Sequence, residues 1–199
     1  MTFRPVIAVL FASALTLPAM AQQTADAVAP EAATETGVAA ASPQVLAALE
    51  AKAAGRPVAA RNWMIAAANP LAAKAGAKVL AAGGGAADAM VAAQAVLGLV
   101  EPQSSGLGGG AFLVWYDAGS GEVTTLDGRE TAPLAATPTL FQDDAGAPLK
   151  FFDAVVGGRS VGVPGTPALM QAAHDRWGKA DWGGLFDDAI ALAEGAFAV

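Results

Sequence analysis

Residues 101–133, with the sequence EPQSSGLGGGAFLVWYDAGSGEVTTLDGRETAP, constrain the fold of this chain more than any other part of it. Residues 111–116 are apolar and aromatic, which is typical of a strand, and residues 117–121 have the composition of a turn. Residues 123–126 return as a second strand. The stretch therefore predicts a β-hairpin that follows a glycine-rich segment.

Alanine-rich segments before this hairpin predict helices. Asn69 supplies an N-cap and Pro70 a proline at the first helical position, and that helix should end at glycines 83–85. A second helix, residues 86–100, is apolar on nearly all sides and should be buried. Residues 61–67 contain aromatic and β-branched side chains, and they predict a short buried strand before the first helix.

The C-terminal part predicts two more helices. Thr166, followed by a proline, is typical of an N-cap, and the helix that it begins should end at Gly178. The last helix is expected to begin near Asp181 and to stop at Gly195. Residues 137–148 predict a loop with a partial helical turn. Helices combined with one hairpin place the chain in the α+β class.

The two ends of the chain carry different signals. Residues 1–21 combine a positive charge at Arg4, an apolar run and a small-residue cleavage pattern, so they predict a signal peptide and a periplasmic or secreted protein. Residues 22–60 are rich in alanine, threonine and proline and predict a mobile lead-in, with a short helix at residues 44–52. Residues 61–199 form the predicted body, and their apolar end predicts a fragment.

Composition argues against several classes of function. The formal net charge is −7, which disfavours nucleic acid and an anionic membrane surface as partners. The apolar run of the leader is too short for a stable membrane span. The chain has no cysteine and one histidine, so thiolate nucleophiles, disulfides and two-histidine metal motifs are excluded within it. We therefore expect no metal site.

The glycine-rich segment matches the GxGxxA pattern of dinucleotide-binding loops at residues 106–111. Such a loop needs a strand before it and a helix after it. The order here is reversed, so nucleotide binding is disfavoured. The glycines are expected instead to allow positive φ angles and close packing at the entry to the strand.

For the other polar residues we expect structural roles and not catalytic ones. His174 is expected to lie at the surface or to cap a helix, because the sequence suggests no acid or serine partner for it. Ser104 and Ser105 are expected to hydrogen-bond the glycine turn. The pair Asp187 and Asp188 predicts a solvated helix face.

Arg129 is the strongest candidate for a binding residue. It follows the hairpin, between Asp127 and Glu130 and shortly before Pro133. From these residues alone, a salt bridge to one of the two acids and capture of a substrate carboxylate are equally good interpretations. A guanidinium suits a carboxylate because it offers two parallel donors in one plane.

Several blocks of sequence together resemble one enzyme family. EPQSSGLGGG, LDGRETAP, VGVPGT and DDAIALAEGAF occur in this order. From about residue 64 to its end, the chain is similar to the N-terminal part of the γ-glutamyltranspeptidases, also called glutathione hydrolases. The resemblance implies a partial αββα sandwich of the N-terminal-nucleophile (Ntn) hydrolase type, incomplete in this chain. It also implies a precursor that cuts itself into a large and a small subunit.

The same resemblance implies a mechanism and a binding role. In this family the N-terminal threonine of the small subunit attacks γ-glutamyl amides such as glutathione, and the γ-glutamyl group passes to water or to an amino acid. Arg129 would bind the α-carboxylate of the substrate, and no metal or organic cofactor is implied. The threonine is not in this chain, so we expect no catalytic residue here and no activity without the C-terminal small subunit.

Residues 83–86 depart from the family, because GGGA replaces the usual GGNA and an asparagine cap is lost. Two alternatives also stay open at this point. One is a related acylase that acts on glutaryl side chains and uses the same arginine. The other is a non-catalytic exported remnant. The coding sequence downstream of this chain would distinguish the γ-glutamyltranspeptidase, the acylase and the remnant.

Overall fold

The structure is a computed structural model, and it describes residues 43–197. The helices are α1 (Pro43–Ala53), α2 (Pro70–Ala81), α3 (Ala86–Val100), α4 (Phe151–Val155), α5 (Thr166–Trp177) and α6 (Asp187–Gly195). The strands are β1 (Ala111–Tyr116) and β2 (Val123–Gly128), and two 3-10 helices cover Gly158–Ser160 and Gly183–Phe186. No helix in this part of the chain is long and apolar enough to cross a membrane. The predicted signal peptide, residues 1–21, lies outside the described residues.

The first two large helices, α2 and α3, begin where the sequence predicts. Asn69 caps α2, since its side-chain oxygen accepts a hydrogen bond from the Leu71 amide at 2.9 Å. Gly83 follows α2 with a φ of 93°, a conformation that favours glycine. Gly85 precedes α3 and has no side chain to cap it, but its amide donates to Asp88 Oδ2 at 2.7 Å. This reciprocal bond partly offsets the lost asparagine cap.

Small side chains let α2 and α3 pack closely. The buried residues between them are Ala72, Ala75, Ala92, Ala93 and Val96. Gly76 of α2 lies so near α3 that an added methyl group would be 2.9 Å from the carbonyl oxygen of Ala89. The prediction that α3 is a buried helix is confirmed, because eight of its residues are buried.

A second cluster joins α3 to the C-terminal helices. Val91 of α3, Met170 of α5 and Leu185 of the 3-10 helix Gly183–Phe186 are buried together. Each is at most 3% exposed, so each contributes on the order of 2 kcal/mol of hydrophobic stabilisation. Helix α3 is therefore the central element against which the rest of the described chain packs.

The predicted hairpin is present. Strands β1 and β2 pair antiparallel, from Ala111 opposite Gly128 to Tyr116 opposite Val123. In the connection, Asp117 Oδ1 accepts hydrogen bonds from the amides of Gly119 and Ser120, at 2.7 and 3.1 Å. These bonds fix the turn that the sequence predicts at residues 117–121.

The two faces of the hairpin have different surroundings. Side chains alternate along β1, so that Ala111, Leu113 and Trp115 face the helices and are partly buried. Trp115 stacks on Trp177 at the end of α5, with ring centroids 4.5 Å apart and planes within 4°. The opposite face exposes Phe112, Val114, Tyr116 and Val123, each by more than 60%. We call these four residues the outer hairpin face.

Two predicted local features are wrong. Residues 61–67 form no strand in the described part of the chain, and most of their side chains are exposed. No strand lies beside them there, so their β-branched and aromatic composition has nothing to pair with. Thr166 is not the N-cap of α5 but its first residue, and Gly165 is the cap. The Thr166 hydroxyl donates to the carbonyl of Gly109 at 3.1 Å instead of accepting from the helix.

Two other local predictions are confirmed, and the prediction of the last helix is confirmed in part. Helix α1 contains the short helix predicted at residues 44–52. Residues 137–148 form a loop with hydrogen-bonded turns, as expected. The last predicted helix is divided, because a 3-10 helix at Gly183–Phe186 precedes α6. Helix α4 was not predicted from the sequence.

One exposed ion pair allows a test of surface electrostatics. Lys78 Nζ of α2 lies 2.7 Å from Asp188 Oδ1 of α6, which fits the solvated face predicted at residues 187–188. The hydrogen bond with Asp188, and then its charge, raise the pKa of Lys78 above 10.5. A raised folded pKa stabilises the fold below pH 10.5, and this contribution is lost as the pH rises through the folded value.

We therefore expect Lys78→Gln to lower the free energy of unfolding by less than about 1 kcal/mol at neutral pH, because the lysine side chain is 66% exposed. The difference from the wild type should shrink in about 1 M salt and above pH 10.5. Urea denaturation measures it, with Lys52→Gln of α1 as the control. A loss well above 1 kcal/mol, or one insensitive to salt, would contradict this account.

Candidate functional site

Arg129 lies at the base of the hairpin, directly after β2. Its backbone passes close to the glycine-rich segment, since a methyl group added to Gly110 would be 2.9 Å from the Arg129 Cα and 2.8 Å from the Glu130 nitrogen. Thr131 then pairs with Val163, whose amide donates to the Thr131 carbonyl at 2.8 Å. The backbone at Arg129 is thus held between two other segments.

Glycines make this arrangement possible. A methyl group on Gly165 would collide with the carbonyl oxygen of Gly128 and lie 2.9 Å from that of Arg129. The amides of Gly165 and Thr166 both donate to the carbonyl of Gly109, at 3.0 and 3.1 Å. The hydroxyl of Thr166 donates to the same carbonyl. Three segments that are distant in the sequence are therefore fixed together around Arg129.

The guanidinium of Arg129 forms no ion pair with any residue of the described range, and the side chain is exposed. Asp127 instead accepts a hydrogen bond from the Arg129 backbone amide, at 2.9 Å. Glu130 likewise makes no salt bridge within residues 43–197. The interpretation of Arg129 as half of a local salt bridge is therefore wrong within this part of the chain.

A cleft of about 490 Å³ lies beside Arg129. Glu130, Gln94 of α3 and the glycine-rich segment line it, whereas Arg129 itself is not among the lining residues. Both carboxylate oxygens of Glu130 lie over the glycines, near Gly109 and Gly110. The cleft thus presents one carboxylate, that of Glu130, and many backbone groups, and Arg129 precedes Glu130 in the sequence.

Ser105 and the glycines of this segment differ from expectation. Ser105 Oγ accepts a hydrogen bond from Gln94 Nε2 at 2.7 Å, so it binds α3 and not the glycine turn. None of the glycines at residues 106–110 has a positive φ. Close approach is confirmed only at Gly110, where an added methyl group would meet Glu130. An added methyl group at Gly108 would meet nothing within 4 Å.

His174 does have an acidic neighbour, contrary to the sequence analysis. Its side chain is 17% exposed, and Nε2 lies 3.4 Å from Oδ1 of the fully buried Asp88. The same nitrogen lies 2.9 Å from the carbonyl of Ala180, and since a carbonyl only accepts, Nε2 carries the proton. His174 therefore fastens α5 to the following loop, and the prediction of a surface position is wrong.

Asp88 is the polar residue that sequence reasoning missed. Besides the Gly85 amide, it accepts hydrogen bonds from the amides of Lys179 and Ala180, the shortest to Lys179 at 2.9 Å. Its position three residues after the N-cap of α3 was the available signal, because an acid there often returns a bond to the cap. Neither Asp88 nor His174 lines the cleft beside Arg129.

Across residues 43–197, no group of three or more histidine, aspartate and glutamate side chains is placed to hold an ion.

Comparison with known proteins decides the family. The model of the γ-glutamyltranspeptidase family matches residues 72–199. The chain belongs to the γ-glutamyltranspeptidase family. A glutathione hydrolase proenzyme of Bacillus subtilis (strain 168) is 43% identical over 139 residues, which are 70% of this chain and 24% of that protein. The crystal structure of the Helicobacter pylori γ-glutamyltranspeptidase has a TM-score of 0.67 at 39% identity, covering 72% of this chain and 41% of that one.

The chain therefore spans about a quarter of the length of the γ-glutamyltranspeptidase relative from Bacillus subtilis. The crystal structure of a cephalosporin acylase from Bacillus halodurans is also similar, with a TM-score of 0.54 at 30% identity over 72% of this chain and 27% of that chain. The predicted fold, an incomplete αββα sandwich of the Ntn-hydrolase type, is confirmed. The described residues supply helices and one antiparallel hairpin of that fold.

Proposed function

We propose that this chain is the N-terminal part of the large subunit of a γ-glutamyltransferase, and that Arg129 binds the α-carboxylate of the γ-glutamyl substrate. The observation that carries the proposal is the exposed guanidinium of Arg129, which has no ion-pair partner within residues 43–197. An exposed guanidinium without an ion-pair partner is available for a carboxylate ligand. Glutathione and other γ-glutamyl amides carry such a group.

Rigid backbone support favours this role for Arg129. The two residues before it end a strand that is paired along its whole length, and the segment at Gly165 packs directly against it. A bidentate contact demands a fixed orientation, because both donors must reach the two carboxylate oxygens at once. The described packing fixes the backbone from which the Arg129 side chain extends.

The reaction itself needs residues outside this chain. We propose that the precursor's C-terminal small subunit supplies a threonine nucleophile. Its hydroxyl oxygen attacks the γ-glutamyl carbonyl, the amide C–N bond breaks, the amine leaves with the hydroxyl proton, and an ester acyl-enzyme remains. Water or an amino acid then takes the γ-glutamyl group. The proenzyme name of the relative from Bacillus subtilis supports a processed precursor. No step in this scheme calls for a metal or an organic cofactor.

We also propose that the protein is exported. The pattern of residues 1–21 supports a signal peptide and a periplasmic or secreted location. The absence of cysteine is compatible with an oxidising compartment, because no thiol is present to react there.

A glutaryl-type acylase is the second candidate, and the similarity to the cephalosporin acylase supports it. An acylase of this kind would also use an arginine to bind a terminal carboxylate. The higher identity to the glutathione hydrolase proenzyme favours the γ-glutamyltransferase, at 43% against 30%. Assays of the complete precursor with a γ-glutamyl anilide and a glutaryl anilide would separate the two, because only the first substrate carries an α-amino group.

Substitution of Arg129 tests the binding role. In the complete precursor, we expect Arg129→Ala to raise KM by roughly 30- to 100-fold, since a charge-assisted bidentate contact contributes about 2–3 kcal/mol. The change in kcat should be smaller, because the carboxylate is bound in the ground state as well. Steady-state kinetics with a γ-glutamyl anilide measures both constants.

Two further variants control this experiment. Arg129→Lys should recover only part of the lost affinity, because an ammonium group cannot make the bidentate contact. Arg159→Ala, at an exposed arginine of the 3-10 helix Gly158–Ser160, should leave KM within about twofold of the wild type. An unchanged KM for Arg129→Ala would remove this residue from the binding site.

A further inference from the structure

The hydroxyl of Thr166 makes a hydrogen bond that differs from the usual one at its position. Thr166 begins α5 and is 1% exposed. A threonine hydroxyl at the start of a helix usually accepts a hydrogen bond from an amide of the first turn. Here it donates at 3.1 Å to the carbonyl of Gly109, which lies 57 residues earlier in the chain. The bond therefore ties α5 to the glycine-rich segment and satisfies none of the helix amides.

The Gly109 carbonyl accepts three hydrogen bonds from two consecutive residues. Besides the hydroxyl, the amides of Gly165 and Thr166 donate to it, at 3.0 and 3.1 Å. The two amide bonds belong to the backbone and do not need a threonine. The hydroxyl bond is the one of the three that depends on residue type. A substitution at Thr166 should therefore weaken this junction without removing it.

Both segments that meet at Gly109 also contact the backbone at Arg129. A methyl group added to Gly110 would lie 2.9 Å from the Arg129 Cα, and one added to Gly165 would lie 2.9 Å from the Arg129 carbonyl oxygen. These two contacts and the bond from Thr166 to Gly109 close a triangle of three backbone segments. Because each segment contacts the other two, a weaker bond at Gly109 also loosens the support at Arg129.

We propose that Thr166 is a positioning residue for substrate binding and acts through Arg129. Its hydroxyl holds the triangle closed, so that the Arg129 backbone stays where the guanidinium can reach both oxygens of the α-carboxylate. A bidentate contact is sensitive to small displacements, because both donors must align at once. Thr166 itself is too deeply buried to touch the substrate. Its proposed role rests on the proposed function of Arg129 as the carboxylate-binding residue.

Steady-state kinetics of the complete precursor tests the role of Thr166. Thr166→Val removes the hydroxyl and keeps the branched shape, and we expect it to raise KM for a γ-glutamyl anilide by roughly 3- to 10-fold. The change in kcat should stay within about twofold, because the carboxylate is bound in the ground state as well. Thr166→Ser keeps the hydroxyl and should keep KM within about twofold of the wild type. An unchanged KM in Thr166→Val, or an equal rise in Thr166→Ser, would overturn the proposal.

A double-mutant cycle separates action through Arg129 from a general loss of stability. In the Arg129→Ala background, adding Thr166→Val should change KM by less than about twofold, because no guanidinium is left to displace. Val91→Ala, in the buried cluster of α3 and α5, is the matched control for lost stability, and it should leave KM within about twofold of the wild type. A full effect of Thr166→Val in the Arg129→Ala background would assign Thr166 a structural role only and overturn the proposal.

The single variants show which of the two proposed roles is wrong. If Arg129→Ala leaves KM unchanged, the binding role of Arg129 is wrong, and the role of Thr166 is wrong with it. If Arg129→Ala raises KM but Thr166→Val does not, only the role of Thr166 is wrong.

Discussion

Gly165→Ala should destabilise the described fold by about 3 kcal/mol or more, because there is no room for a methyl group. The added carbon would meet the carbonyl oxygen of Gly128 and lie 2.6 Å from its carbonyl carbon. These are backbone atoms, so no side-chain rotation relieves the contact. Either the segment at Gly165 or the end of β2 must move. Because Arg129 directly follows β2, a shift of that strand would also displace Arg129.

Urea denaturation monitored by tryptophan fluorescence measures the loss. Gly108→Ala is the matched control, since an added methyl group there meets nothing within 4 Å and the φ is not positive. We expect that control to change the free energy of unfolding by less than about 1 kcal/mol. A loss at Gly165 no larger than that of the control would show that the two segments do not pack as described.

Asp88→Ala is the second substitution with a large expected effect. The carboxylate is fully buried and accepts hydrogen bonds from the amides of Gly85, Lys179 and Ala180. Its removal leaves these three part-buried amide donors without partners, each at a cost of up to about 1–3 kcal/mol. We therefore expect a loss of roughly 3–5 kcal/mol in the free energy of unfolding.

Hydrogen exchange locates the effect of this substitution. The amides of Lys179 and Ala180 should lose protection in Asp88→Ala, because they donate to the missing carboxylate. Asp175→Ala, at an exposed acid of α5, should leave both the stability and these two amides nearly unchanged. Normal protection of Lys179 in Asp88→Ala would mean that the acid does not anchor this loop.

Features encoded by near neighbours could be predicted from the sequence. The start of α2 follows from Asn69 before Pro70, because an N-cap bonds to an amide two residues later. The bounds of β1 follow from an uninterrupted apolar run between a glycine segment and a turn. Arg129 was recognised as a binding candidate in the same way, from the acids and the proline around it.

Features that join distant residues could not be predicted. Thr166 looked like an N-cap, yet its hydroxyl donates to Gly109, which lies 57 residues earlier in the chain. Residues 61–67 have the composition of a strand, but strand formation needs a partner that composition does not specify. His174 seemed to have no acidic partner, because Asp88 approaches it only once α3 and α5 have packed.

The sequence by itself determined the hairpin, the helices α2 and α3, the family resemblance and the choice of Arg129, since all of these depend on residue types at short spacing. Only the tertiary structure decided that the Arg129 guanidinium has no ion-pair partner within residues 43–197 and that Gly165 has no room for a methyl group. The physical reason is that close backbone contacts and buried carboxylates involve atoms brought together by packing, and no local pattern of residues records which atoms will meet.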